Sequence, residues 1–203
     1  MKIICIGRNY ADHAKELNNA VPTEPVFFMK PDTALLPAGS DFYIPDFSSS
    51  IHYECELVLK IKKVGKHIPV EFASDYFDEI GLGIDFTARD IQEEQKQKAL
   101  PWEKAKSFDN SAPMGQRFLA LNLFDSNNIS FELKKNGTTV QVGNTKDCIF
   151  NFNQVVAYIS QFITLKTGDL IFTGTPAGVG PVAIGDHLEG FIEGEKLLDL
   201  NIK

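Results

Sequence analysis

Long apolar runs, paired cysteines and an excess of basic charge are all missing from this chain, and each absence excludes a class of function. The opening Met1-Lys2-Ile3-Ile4-Cys5-Ile6-Gly7 holds too short an apolar run for a signal peptide or a membrane span, so no membrane partner is expected. The three cysteines, Cys5, Cys55 and Cys148, are an odd set without CxxC spacing. That pattern suits free thiols in a reducing cytoplasm better than a disulfide framework or a zinc site. A formal net charge of −7 leaves no basic field for phosphate backbones, which argues against nucleic acid. Small anionic substrates stay open, because they respond to local charge. Repeats, low-complexity tracts and linkers are also absent, so residues 1–203 are read as one domain. Its composition is ordinary for a globular protein, 43% hydrophobic and 23% charged.

What the chain does contain centres on Glu54-Cys55-Glu56, inside the run His52 to Ile61. On a strand, residues i and i+2 project from one face, so Glu54 and Glu56 point together and Cys55 points away. Two neighbouring carboxylates on an apolar strand repel each other and resist burial, so something positive must compensate them. A divalent cation held by oxygen ligands is the simplest answer, and Asp85, at the end of Gly81-Leu82-Gly83-Ile84, is the candidate third carboxylate.

Other residues supply parts that such a site could use. A short helix is expected from Asn9 to Leu17 with Asn9 as N-cap, which puts His13 and Glu16 on one face. A carboxylate beside an imidazole prepares a general base, although the same spacing describes an exposed surface pair. Residues 18–25 break the helix, and 8–25 is expected to behave as a mobile lid. The short strand Val26 to Met29 delivers Lys30, either as a solvated charge or as an anion contact. Residues 32–50 read as loop, with a short strand near Phe42-Tyr43-Ile44. A helix is expected over 70–78. Thr87 is expected to cap a polar helix from Glu93 to Lys98, and Arg89 and Gln92 share a helical face that could clamp a ligand carboxylate or could simply be solvated. Lys106 is a second candidate lysine. Asn136-Gly137 is a hairpin signal, and 153–163 has helical period with Val155, Val156, Ile159 and Phe162 as a core stripe. The run Thr173-Gly174-Thr175-Pro176-Ala177-Gly178-Val179-Gly180 lacks the ending of a P-loop, so its amides and the Thr175 hydroxyl are read as facing a small ligand.

Five motifs in this order resemble the fumarylacetoacetate hydrolase family over nearly the whole chain. They are Gly7-Arg8-Asn9-Tyr10-Ala11-Asp12-His13, His52 to Leu57, Asp85 to Gln92, Pro101-Trp102 with Lys106 to Asp109, and Thr173 to Gly180. The resemblance is strongest to its acylpyruvase and oxaloacetate decarboxylase branch. It implies an α+β, β-rich fold, a sandwich-like roll of mixed sheets with a few short helices, and a homodimer using Mg²⁺ or Mn²⁺. It makes Glu54, Glu56 and Asp85 the metal ligands, His13 and Glu16 the lid dyad, and Lys106 a catalytic lysine. Lys30, Arg89, Gln92 and Thr175 become contacts to a small 2-oxo acid. The implied chemistry is C–C cleavage of 2-oxo or 2,4-dioxo acids through a pyruvate enolate stabilised by the metal, as in acylpyruvate hydrolysis or oxaloacetate decarboxylation. The same enolate would serve an oxaloacetate tautomerase or a 2-oxo-enoate hydratase or isomerase. A non-catalytic oxo-acid binder is the reading from a different class.

Overall fold

Two short runs of branched and aromatic residues, Ile3–Ile6 and Leu170–Phe172, are buried along their whole length. Strands without a solvent face belong in the middle of a sheet. They pair in parallel, Ile3 opposite Leu170, at the centre of a six-stranded sheet in the computed structural model, which describes residues 1–16 and 20–203. Across that sheet the order is Phe27–Lys30, Ile3–Ile6, Leu170–Phe172, Cys55–Ile61, Phe77–Ile84 and Leu119–Ala120. Cys55–Ile61 and Phe77–Ile84 run antiparallel with Cys55 opposite Ile84. That register brings Glu54 and Asp85 together just beyond the paired ends, where the Asp85 amide donates to the Glu54 carbonyl at 2.8 Å.

A second sheet contains Thr138–Asn144, Ser130–Lys135, His187–Ile192 and Glu195–Asn201 in that order. Its strands alternate, with Phe131, Leu133, Leu188 and Ile192 buried, so one face meets the first sheet and the other meets water. The sheets approach closely at Gly190, where a Cβ would lie 2.4 Å from Leu82 Cδ2. Two small sheets complete the set, Gly180–Pro181 with Ile51–Tyr53 and Thr87–Ala88, and Leu35–Leu36 with Ala112–Pro113. The described residues also form four short α-helices: α1 (Ala11–Glu16), α2 (Arg89–Gln97), α3 (Glu103–Lys106) and α4 (Phe152–Phe162). The fold is the β-rich α+β arrangement expected.

Local departures from expectation have identifiable causes. Asn9 is not an N-cap, because its amide donates to the Phe150 carbonyl at 3.0 Å and the Thr173 carbonyl at 2.8 Å. Thr87 does not cap α2 either; its hydroxyl turns back to the Asp85 carbonyl, and α2 begins earlier, at Arg89. The 42–44 strand reduces to one bridge between Phe42 and Ile202, and 70–76 is a 3₁₀ turn rather than an α-helix. In α4 the capping box of Asn151 and Gln154 sets the start, and Phe162 at the far end is exposed although it continues the buried stripe. The hairpin at Asn136-Gly137 forms as expected, both residues having positive φ, 53° and 78°. The expected lid, 8–25, includes 17–19, which lie outside the described residues.

Candidate active site

Glu54, Glu56 and Asp85 converge as the pairing of the two strands requires, with ligand oxygens all within 4.8 Å of one another. All three are at least 95% buried. Burial, with Asp85 and Glu54 beside it, holds the Glu56 carboxyl well above the usual carboxylate range. Its one strong local support is the Gly174 amide, which donates to Oε2 at 2.7 Å. Glu54 behaves oppositely. Burial alone would push it up, but Lys106 and Arg89 together hold it well below the ordinary value.

Cations close the cluster from two sides. The Lys106 ammonium donates to Glu54 Oε2 at 2.7 Å and to Asp85 Oδ2 at 2.8 Å. Burial would lower its pKa, but Asp85 and Glu54 raise it instead, so it stays charged. Arg89, on the first turn of α2, donates through one terminal nitrogen to Glu54 and through the other to Gln92 Oε1. Its Nε is buried without a partner. Lys30 Nζ stands 2.8 Å from Asp85 Oδ1, close enough for an ion pair. Yet Asp85 Oδ1 accepts no hydrogen bond. The ammonium instead aims its hydrogens at the carbonyls of Phe86 and Ser111, at 3.3 and 3.2 Å, at the Ser111 hydroxyl at 2.9 Å, and at the Lys106 carbonyl.

This donor set fits a hard divalent cation. It is all oxygen, carries three carboxylates, leaves one buried oxygen facing the Lys30 charge without a hydrogen bond, and contains a carboxyl that its neighbours make reluctant to ionise.

Helix α1 lies over the site with His13 buried, its Nδ1 3.0 Å from Glu16 Oε2. Glu16 uses its other oxygen to accept from the Gly178 amide at 3.0 Å. The glycine-rich run therefore serves protein carboxylates at both ends, Glu56 through Gly174 and Glu16 through Gly178. Thr175, expected at a ligand, donates its hydroxyl to the Cys55 carbonyl at 2.9 Å and accepts from Gln141 at 2.8 Å.

Sequence reasoning missed Gln141, Ser111 and the working role of Asn9. Gln141 is 2% exposed; its Oε1 accepts from the Cys55 amide and its Nε2 donates to Thr175 and Pro176. With Thr175 it grips both peptide groups of Cys55, between the two glutamates. A polar side chain at a core-facing position of an alternating strand was the available signal.

The comparisons with known proteins agree with this picture. A family model described as "Fumarylacetoacetate (FAA) hydrolase C-terminal" matches residues 2–200. The mitochondrial oxaloacetate tautomerase FAHD1 of Mus musculus is 43% identical over 201 residues, covering 99% of this chain and 91% of its own. A crystal structure of a fumarylacetoacetate hydrolase family protein from Yersinia pestis CO92 superposes with TM-score 0.94 at 38% identity, covering 100% of this chain and 93% of that one. A fumarylpyruvate hydrolase from Pseudomonas aeruginosa, solved in complex with Mn²⁺ and pyruvate, gives TM-score 0.93 at 36% identity, covering 100% and 89%.

Proposed function

Because the chain belongs to the fumarylacetoacetate hydrolase family, we propose that it is a divalent-metal-dependent hydrolase or lyase of small 2-oxo and 2,4-dioxo acids. The observation that carries the proposal is the buried triad of Glu54, Glu56 and Asp85, whose ligand oxygens converge within 4.8 Å, covered by a docked His13–Glu16 pair. Glu54, Glu56 and Asp85 would hold Mg²⁺ or Mn²⁺, which would supply Lewis acidity toward a 2-oxo acid and positive charge beside developing enolate charge.

The chain's own residues do the rest. With its Nδ1–H donated to Glu16, the His13 ring presents Nε2 as a base, positioned to take a proton from water attacking the 4-carbonyl. Glu16 holds that tautomer and is itself anchored by Gly178. Lys106 keeps a permanent positive charge beside the oxygen on which negative charge develops. Arg89 and Gln92 clamp the substrate carboxylate, the unpartnered Nε of Arg89 being one donor left over. Lys30 and Thr175 have committed their hydrogens to protein acceptors, so their service to the substrate runs through the charge Lys30 sets beside Asp85 and the Cys55 backbone that Thr175 holds.

Acylpyruvate hydrolysis and oxaloacetate decarboxylation share the enolate. The name of the mouse relative favours a second reading, enolisation of oxaloacetate itself, which needs no attacking water. Pyruvate release and enol absorbance, followed separately over a panel of acylpyruvates, fumarylpyruvate and oxaloacetate with Mg²⁺ or Mn²⁺, distinguish these. Enolisation without pyruvate release selects the tautomerase, and no turnover with tight oxalate binding selects a non-catalytic binder. The reading also includes one catalytic domain with α1 as its lid, a cytoplasmic location consistent with three unpaired thiols, and a homodimer. The dimer is supported by an apolar face around α3, where Phe47 and Leu100 are exposed beside Ile91, Trp102 and Phe108.

A further inference from the structure

Asn9 is wholly buried and sits where three segments meet. Its amide nitrogen donates to the Phe150 and Thr173 carbonyls, and its amide oxygen accepts from the Phe150 amide at 2.8 Å. Its own carbonyl accepts from the Ile149 amide at 2.8 Å. The Thr173 contact matters most. The same peptide unit that accepts from Asn9 through its C=O donates through its N–H, on Gly174, to Glu56 Oε2.

A peptide is planar, so fixing its carbonyl fixes the direction of its amide. A donor on the carbonyl also strengthens the amide as a donor in turn. Gly174 adopts φ +101°, and a Cβ there would lie 2.6 Å from Asn9 Cβ. Only glycine lets this peptide come so close to Asn9. Two residues after Asn9, helix α1 begins, carrying His13 and Glu16.

We infer that Asn9 is a positioning residue of the metal centre, acting through the Thr173–Gly174 peptide to orient Glu56 and to set that carboxylate in register with the dyad on α1. This rests on the metal-dependent reading of the triad. Asn9 touches neither substrate nor metal; its effect is relayed by one peptide plane.

The test measures Mn²⁺ binding to the purified full chain by calorimetry, alongside thermal melts without metal. Asn9→Ala should weaken Mn²⁺ roughly 10–100-fold, the range for a partner that supports a ligand. Val156→Ala, a buried core change in α4 at a residue with no part in the Asn9–Gly174–Glu56 hydrogen bonds, controls for lost stability and should keep the parent affinity. Parent-like Mn²⁺ affinity in folded Asn9→Ala overturns the inference, as does an equal loss in Val156→Ala at matched melting temperature. A measurement on the unmutated chain covers the case where Asn9→Ala does not fold. In ¹H–¹⁵N spectra the Asn9 side-chain amide and the Gly174 amide should shift together on titration with Mg²⁺. A Gly174 shift with Asn9 unmoved overturns the relay. If the parent itself binds no Mn²⁺, the metal reading fails instead.

Discussion

At the scale of single residues, the carboxylates were the most legible part of the chain. Glu54 and Glu56 announce themselves because the two-residue period of a strand puts both on one face, and an acid pair on an apolar strand has few bland explanations. Gln141 and Asn9 were not legible in this way. Each acts on backbone groups 35 or more positions away in sequence, and no local pattern records which peptide a distant amide will meet. Glu56 gives a sharp test because its environment opposes its own charge. Its carboxyl is raised, so its contribution is complete below the unfolded value of about 4.3 and is lost as pH rises from there through the higher folded value, which leaves the carboxyl a net cost at neutral pH. Glu56→Gln should therefore melt higher than the parent without metal. With Mn²⁺ it should melt lower, and it should bind the ion more than about 100-fold less tightly, beyond the usual cost of losing a supporting partner. A variant that melts lower than the parent in both conditions would show that Glu56 is not the strained ligand described.

Elements were legible where period and turn chemistry agreed, as in the Asn136-Gly137 hairpin and in α4. They were misjudged where a side chain had a better partner than a helix end, Asn9 across the fold at Phe150 and Thr173 and Thr87 two residues back at Asp85. Helix α1 makes the functional prediction at this scale. In the proposed mechanism its dyad would supply a base for water attack but would not be needed to lose carbon dioxide. His13→Ala should lower acylpyruvate hydrolysis by about 10²–10⁴-fold while reducing oxaloacetate decarboxylation much less, both read as pyruvate release. Equal losses would remove His13 from the water-activating role. A second element-scale prediction concerns the turn at 183–186, tied to the hairpin tip. Asp186 accepts from the Asn136 side-chain amide at 2.7 Å and from the Ala183 backbone amide at 2.8 Å. Burial raises its pKa, but those hydrogen bonds and Lys135 outweigh it and hold the carboxyl below the ordinary value. Its contribution is therefore complete above the unfolded value of about 3.9 and disappears as pH falls through the lower folded value. Asp186→Asn should melt below the parent at neutral pH, with the gap narrowing below about pH 4; a gap that widens with acid would contradict the assignment.

For the whole molecule, strand content could be read from the sequence but strand partnership could not. Ile3–Ile6 neighbours Leu170–Phe172 because both need two covered faces, and that need does not specify which run satisfies which. The apolar face around α3 carries a prediction at this scale. The parent should run as a dimer in sedimentation, and Phe47→Asp with Leu100→Asp should shift it to monomer with an unchanged circular dichroism spectrum. A monomeric parent would dismiss the face as an assembly surface.

The ring of Lys30, Lys106 and Arg89 around three carboxylates has one more consequence. With Glu56 ionised, as a bound cation requires, three positive charges formally cancel three negative ones, so the protein's share of the centre is close to neutral. A divalent ion then leaves it two charges positive, the mirror of a doubly ionised oxo-acid. On the proposed metal reading, loading would be ordered, with the ion first and the anion second, and by reciprocity the anion would tighten the ion by the same factor. Oxalate should register no heat with the chelated protein and bind readily once Mg²⁺ is restored.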